Sequence, residues 1–496
     1  MARSKPWNRK ITVSDDTVTS AADLTLRQSL IPNLLVTILF FLWGFAYGLL
    51  DVLNSHFRSL LSLSASQAAG LSSAYFGAYF LLPPTLSAYV LRRFGFRITF
   101  MLGLMIFAVG CLLFWPSGLK QSFGGFCGSM FVVGAGLATL ETAADPFLSI
   151  CGPTRYSEVR LNLAQAVQGV GSFVAPLLAS RVFFAKTVDN EAGLKNVQWV
   201  YLGVAGFDVL LIVLFFFVKM PEITGRDMEV LEGKVNSEER KAEDGGKGTG
   251  EEMVVAAGGG GGDPGPFRKQ INLFLAVWSQ FCYVGAQVAV ANYFIYFCEE
   301  AGRSTATSSD LLAVGQGLYA LNRFVAGGLL TIPAFKPRYM LAVYLGLCFV
   351  FAVAAMNTTG TTSIAMLMLV LCFESCCFAT IFTLGLRGLG RHTKLGGSLL
   401  VAAISGGMVF PPMMGAVVDA KDAHTAMAIP MMGYILAWVY PLYVNVWNRD
   451  VMDSHREARV GVEPSATADD KAIQLEEQPT KVEKEEVEVG TRATPK

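Results

Sequence analysis

"LETAADPF", residues 140–147, lies inside a long apolar run and carries two carboxylates, Glu141 and Asp145. The fold turns on whether that run is a soluble core or a membrane span. Of the 496 residues, 53% are hydrophobic and 16% charged, against about 25% charged in an ordinary soluble domain. The apolar residues fall into blocks of about 20, enough to cross a bilayer core of roughly 30 Å. Twelve blocks are readable, near 31–55, 70–91, 98–116, 123–149, 160–184, 198–219, 271–297, 308–333, 339–356, 362–386, 396–418 and 425–447. A membrane barrel would show short alternating segments instead. The blocks therefore predict an all-α membrane protein of twelve transmembrane helices in two six-helix halves.

A carboxylate in hydrocarbon costs at least about 2.5 kcal/mol. Glu141 and Asp145 are four residues apart and so project from one helical face. That face cannot look at lipid; it must look at a polar cavity or at partners. Pro146 cannot donate a backbone hydrogen bond, which frees the carbonyl of Thr142 and predicts a bend there. An acid beside such a break suits an ion or proton site. The plainer alternative is a structural acid capped by Thr139 or Thr142.

Arg and Lys alternate along the short loops. One set holds Arg92, Arg93, Arg97, Arg155, Arg160, Lys336, Arg338, Arg387, Arg391 and Lys394; the intervening loops hold fewer. By the positive-inside rule the richer loops, both termini and the central loop are cytoplasmic. The expected organisation is a cytoplasmic tail over 1–30, a first bundle over 31–220, a disordered linker over 221–270, a second bundle over 271–448 and a disordered tail over 449–496. The linker holds "GGGGG" at 258–262 among Glu, Lys and Gly and cannot bury a core. The first thirty residues do not read as a cleavable signal peptide. The nine cysteines show no CxxC spacing, so neither a metal site nor a disulfide framework is expected. Formal net charge is zero, and nothing points to nucleic acid.

The two halves echo each other. "LETAADP" in the fourth block is answered by "FESCCFA" (373–379) in the tenth, and "AYVLRRFGFR" (88–97) by "TIPAFKPRYM" (331–340). Duplicated halves around a linker suit a secondary transporter with its site near the midplane. Other polar groups fall inside blocks. Asp51 ends "FFLWGFAYGLLD", and its alternative is an interfacial acid reaching headgroup water. Gln165 and Gln168 share a face suited to hydrogen-bonding hydroxyls or to helix–helix bonding. Tyr283, Gln287 and Asn292 combine amide and aromatic groups. Arg323 and Glu374 are opposite charges at membrane depth, for which pairing with each other is the preferred reading. Asp208 has no partner legible in the sequence. "GVG" (169–171) and "SGG" (405–407) read as close-packing surfaces.

At these residues the sequence resembles the fucose permease-like branch of the major facilitator superfamily, the fucose/galactose/glucose:proton symporters. The motifs are "FFLWGF…D", "LETAADPF", "RLNLAQ", "QFCYVGAQ" and "GLRGLG…TKLGGS", spread over nearly all of 34–445 outside the linker. "FESC" and "LRGLG" look more like the fungal members. The resemblance implies a two-domain rocker with alternating access that takes up a hexose or deoxyhexose with a proton, the coupling ion, and no cofactor. Carried over by position, it places proton coupling on Asp51 and Glu141 and substrate contact on Gln165. Gln168, Tyr283, Gln287, Asn292 and Tyr47 complete the candidate substrate set, with Asp145, Arg323 and Glu374 as accessories. The chain departs from the family pattern where Tyr47 and Gly48 replace Asn–Asn, Asp145 and Gln168 replace Asn, and Ala379 replaces Pro.

The leading expectation is a monomeric, plasma-membrane, proton-coupled carrier of a monosaccharide or small polyol. The second is a carrier of the same fold exporting a secondary metabolite, which Met408, Met413, Met414, Cys376 and Cys377 would suit. The third is a nutrient sensor signalling through its tails. An enzyme is not expected, because no His-box, GxSxG or paired-aspartate metal motif is present.

Overall fold

The structure, a computed structural model, describes residues 12–13, 18–19, 24–61, 65–120, 122–178, 191–243 and 265–457. Helices of the first half are α1 (Leu26–Leu61), α2 (Ala65–Leu81), α3 (Ala88–Leu119), α4 (Phe123–Ile150), α5 (Ser157–Leu178) and α6 (Glu191–Phe217). A further helix, α7 (Gly225–Glu243), follows them. The second half begins with α8 (Ile271–Glu300), α9 (Thr305–Leu329) and α10 (Pro337–Asn357). It continues as α11 (Gly360–Glu374), α12 (Cys377–Leu386), α13 (Thr393–Ala402) and α14 (Gly406–Ala420). Short pieces α15 (Ala423–Ala426), α16 (Ala428–Ala437) and α17 (Val439–Val446) form the last crossing, and α18 (Arg449–Glu457) lies beyond it. Among the described residues there is no strand.

Each predicted apolar block is met by a helix or by consecutive helices. Eight stretches are long and apolar enough to cross a membrane, and one of them, Gly70–Ser117, is 48 residues long and spans two blocks. It doubles back at Gly95, where φ is +79°, a left-handed conformation that glycine adopts without strain. Phe96 N donates to Glu222 Oε1 there at 2.5 Å. Neither α5 nor α9 is among the eight. Both interrupt their apolar faces with polar residues: Asn162, Gln165 and Gln168 on α5; Gln316, Tyr319, Asn322 and Arg323 on α9. They are also the pair that joins the halves, with α2 and α14 as the second joint.

Close backbone approach fixes both joints and the helix crossings behind them. A Cβ on Gly169 would lie 2.9 Å from the Ala320 Cβ, and one on Gly407 2.7 Å from the Phe76 ring. A Cβ on Gly171 would lie 2.5 Å from the carbonyl oxygen of Phe41. The two small-residue stretches read from the sequence are packing surfaces.

Two expectations need correction. The segment over 221–270 opens with a helix, α7, and the tail from 449 opens with α18. The cause of the first is local: Asp227 N donates to Thr224 Oγ1 at 3.1 Å while Thr224 N donates to Asp227 Oδ2 at 2.9 Å, a reciprocal cap. Met228, Leu231 and Val235 then fall on one helical face and are buried. The second correction rests on α18 itself, whose Met452 and His455 are buried. The rest of both segments lies outside the described residues. The helix α4 runs on through Pro146 to Ile150.

Candidate functional site: acids and amides where the halves meet

The site is built from α4 and α5 of the first half and from α8, α9 and the α11–α12 junction of the second. Glu141 and Asp145 lie on α4 and are buried, Asp145 with 1% exposure. Tyr79 Oη donates to Glu141 Oε1 at 3.3 Å, and the hydroxyls of Tyr79 and Tyr75 lie 3.2 Å apart. Among the described residues, Glu141 Oε2 and both oxygens of Asp145 have no hydrogen-bond partner. The threonines weighed as caps bond elsewhere: Thr142 Oγ1 donates to Ala138 O at 2.7 Å and Thr139 Oγ1 to Ala135 O at 2.8 Å.

On the facing half, the tenth crossing breaks between Glu374 and Cys377, as α11 ends and α12 begins. Such a break frees backbone carbonyls, which inside a membrane need donors. Tyr283 Oη donates to Glu374 O at 2.7 Å, Arg323 Nε to Ser375 O at 2.8 Å, and Asn322 Nδ2 to Cys372 O at 2.8 Å. Arg323 then reaches across: its Nη1 donates to Gln165 O at 2.8 Å and its Nη2 to Tyr319 Oη. Its guanidinium lies 4.4 Å from the Tyr319 ring centroid. Gln287 Nε2 donates to the same Tyr319 hydroxyl at 2.8 Å.

The expected Arg323–Glu374 pair is therefore not formed. The freed carbonyl of Ser375 and the Gln165 carbonyl hold the guanidinium, while the Glu374 carboxylate accepts from Tyr434 Oη. No described carboxylate pairs with Arg323. Its charge acts on both Glu374 and Asp145 without a direct ion-pair contact.

The structure thus brings together Gln165, Gln287, Arg323 and the α11–α12 junction. Gln165 Oε1 is buried without a partner, and Gln168 is half-buried on the same helix. Tyr283 is placed inside the second half, its hydroxyl engaged by the broken helix. Asn292 sits apart, donating from Nδ2 to Ser72 Oγ at 3.2 Å, a link between halves. Asp51 and Tyr47 fall on α1, and their side chains lie outside the described residues. Asp208 on α6 is buried with both oxygens unpartnered, as its isolation in the sequence suggested. Of the residues that suited a metabolite exporter, Cys376, Cys377 and Met414 are fully buried and Met413 is 48% exposed; Met408 does meet the first half, accepting at its carbonyl from Ser73 Oγ at 3.2 Å.

Sequence reasoning passed over Tyr75, Tyr79, Tyr319 and Asn322. The signal for the last two was present: "YALNR" (319–323) sets three polar residues into an otherwise apolar turn and a half.

Below this site the two halves are closed at the end that carries the basic loops. Arg387 Nη2 pairs with Glu158 Oε1 across the halves, and a Cβ on Gly397 would lie 2.5 Å from Pro146 Cγ. The ammonium of Lys394 lies 5.4 Å from the Phe96 ring centroid.

Two helical halves meeting at buried acids and amides, closed at one end, define a membrane carrier. The model of the Major Facilitator Superfamily matches residues 34–440, and the chain belongs to that family. It is 28% identical over 412 residues to a glucose/galactose transporter of Brucella abortus biovar 1 (strain 9-941), covering 82% of this chain and 92% of that protein. It is also 28% identical over 445 residues to the L-fucose-proton symporter of Escherichia coli (strain K12), covering 84% and 93%. Among solved structures, the E. coli fucose:proton symporter FucP superposes with a TM-score of 0.67 at 26% identity, over 84% of this chain and 98% of that one.

Proposed function

We propose that the protein is a proton-coupled symporter of a monosaccharide, of hexose or deoxyhexose size, working by alternating access. The observation that carries the reading is Glu141: a buried carboxylate inside the fourth crossing, with one oxygen held by Tyr79 and the other without a described hydrogen-bond partner. The names of the relatives, a glucose/galactose transporter and an L-fucose-proton symporter, support the same chemistry. Gln168 and Gln287 are the amides we assign to sugar hydroxyls, with Gln165 beside them, and Asp51 serves the same coupled proton as Glu141. The carrier acts as a monomer in the plasma membrane with both termini in the cytoplasm, so that the closed basic end faces the cytoplasm.

The test is uptake of a panel of radiolabelled hexoses, deoxyhexoses and polyols into proteoliposomes under an imposed pH gradient. Accumulation of one sugar that collapses with the gradient is the expected result. A panel in which no sugar accumulates, or one that accumulates equally without the gradient, contradicts the reading.

A further inference from the structure

We infer that Asp145 is a second proton-binding carboxylate of the transport cycle, alongside Glu141, so that two protons move with each substrate. The inference rests on the proposed symport and adds a residue and a count to it.

Four buried charged side chains are described around this site, Glu141 and Asp145 from α4, Arg323 from α9 and Glu374 at the α11–α12 break, while Glu158 and Arg387 pair with each other at the closed end. Arg323 keeps its charge at any working pH. Its described donors go to the carbonyls of Ser375 and Gln165 and to the Tyr319 hydroxyl, all neutral acceptors. Those bonds engage each of its three nitrogens, no described carboxylate is in ion-pair contact with it, and its charge acts on both Glu374 and Asp145. Asp145 feels that charge, yet no described donor meets either of its oxygens. A buried carboxyl without donors is tolerated far better with its proton than without it. In this closed arrangement Asp145 therefore holds a proton.

Opening of the site changes the balance. Water then solvates the carboxylate, and Arg323 opposite favours the ion. The proton leaves to that water and the oxygen keeps the electron pair; closure with substrate reverses the step. An amide at this place could do neither. Pro146, the next residue, touches Gly397 of the other half, so Asp145 sits at the surface that must part when the site opens on the basic side.

Other charged or titratable groups on helices packed against α4 are engaged elsewhere. Arg160 of α5 donates to the carbonyls of Leu148 and Ser149 at 2.7 and 2.8 Å. Glu158 is paired with Arg387, and Lys394 of α13 faces Phe96. Arg92, Arg93 and Arg97 of α3 flank the turn at Gly95, at the basic end. Among the described residues of α2, the Tyr79 hydroxyl donates to Glu141 and the Tyr75 hydroxyl meets that of Tyr79.

The experiment measures the limiting sugar accumulation ratio in proteoliposomes against the size of the imposed pH step, at zero membrane potential. Each coupled proton adds a factor of about ten per pH unit. Wild type is expected to follow a slope of two, and Asp145→Asn a slope of one with counterflow exchange retained. A wild-type slope of one overturns the inference whether or not Asp145→Asn folds, and leaves proton-coupled symport standing. Accumulation that ignores the gradient overturns both. A slope of two in Asp145→Asn assigns the second proton to another residue and also overturns it.

Discussion

Glu158, at the start of α5, and Arg387, just after α12, form a buried ion pair that crosses from one half to the other. The same guanidinium donates through Nη1 to the carbonyl of Met452 in α18. One side chain thus ties the first half, the second half and the tail helix together at the closed end. The latch is reinforced by His455 of α18, whose Nε2 lies 3.0 Å from Glu232 Oε2 of α7.

Removing one partner of a buried pair costs roughly 3–5 kcal/mol because the other charge is left stranded. Glu158→Gln is therefore expected to shift the protein away from the arrangement described here, toward one open at the basic end. Spin labels at positions 155 and 391 report the separation. A longer or broader distance distribution in Glu158→Gln is expected; an unchanged one would show that the pair does not hold the gate.

The docking of α18 carries its own pH dependence. Burial pushes the carboxyl of Asp453 up, but the hydrogen bonds and charges of Arg338 and Lys336 outweigh it and hold the group below its ordinary value. Arg338 Nε and Nη2 each reach an Asp453 oxygen at 3.0 Å. A carboxyl lowered in the folded state contributes stability that is complete above its unfolded value of about 3.9 and is lost as pH falls through the lower folded value. Protection of the α18 amides from hydrogen exchange, corrected for intrinsic rate, should hold from pH 7 to about 5. Asp453→Asn should lose it across that whole range. Equal protection in the variant at every pH would rule the contact out as the anchor.

Gly44 and Gly406 set helix crossings within the halves. A Cβ at Gly44 would lie 1.8 Å from Gln168 O, and one at Gly406 2.0 Å from Phe281 O, both backbone atoms that cannot step aside. Alanine at either position is expected to cost at least the roughly 1–3 kcal/mol of an overpacked core. Gly128 of α4 meets nothing within 4 Å, and alanine there removes a helix-interior glycine penalty of roughly 0.5–1 kcal/mol. Thermal unfolding in detergent should rank Gly128→Ala above wild type and the other two well below it. A Gly44→Ala protein as stable as wild type would contradict the crossing geometry.

The sequence made the crossings legible because lipid imposes one rule, a long apolar helix, on every span. Glu141 and Asp145 were legible for the converse reason: an acid in such a helix has to be explained. What escaped was set by partners far along the chain. Arg323 and Glu374 looked like a pair, since opposite charges at equal depth are all that a sequence shows. That α11 would break at Glu374 and offer Arg323 a carbonyl depends on Tyr283, Asn322 and Tyr434 closing around the break. The helix α7 was overlooked for a different reason. Its cap, Thr224 with Asp227, and its stripe of Met228, Leu231 and Val235 were written in the sequence, but the Gly- and Glu-rich composition that follows masked them.

The central claim is that Glu141 carries a proton through the cycle. Glutamine keeps its shape and its bond from Tyr79 while removing titration. The direct measurement compares, in the same vesicles, sugar accumulation driven by a pH gradient with counterflow exchange at equal pH, for wild type and Glu141→Gln. The account predicts that Glu141→Gln loses gradient-driven accumulation and keeps exchange. Full gradient-driven accumulation by Glu141→Gln would contradict it and leave Glu141 a structural acid.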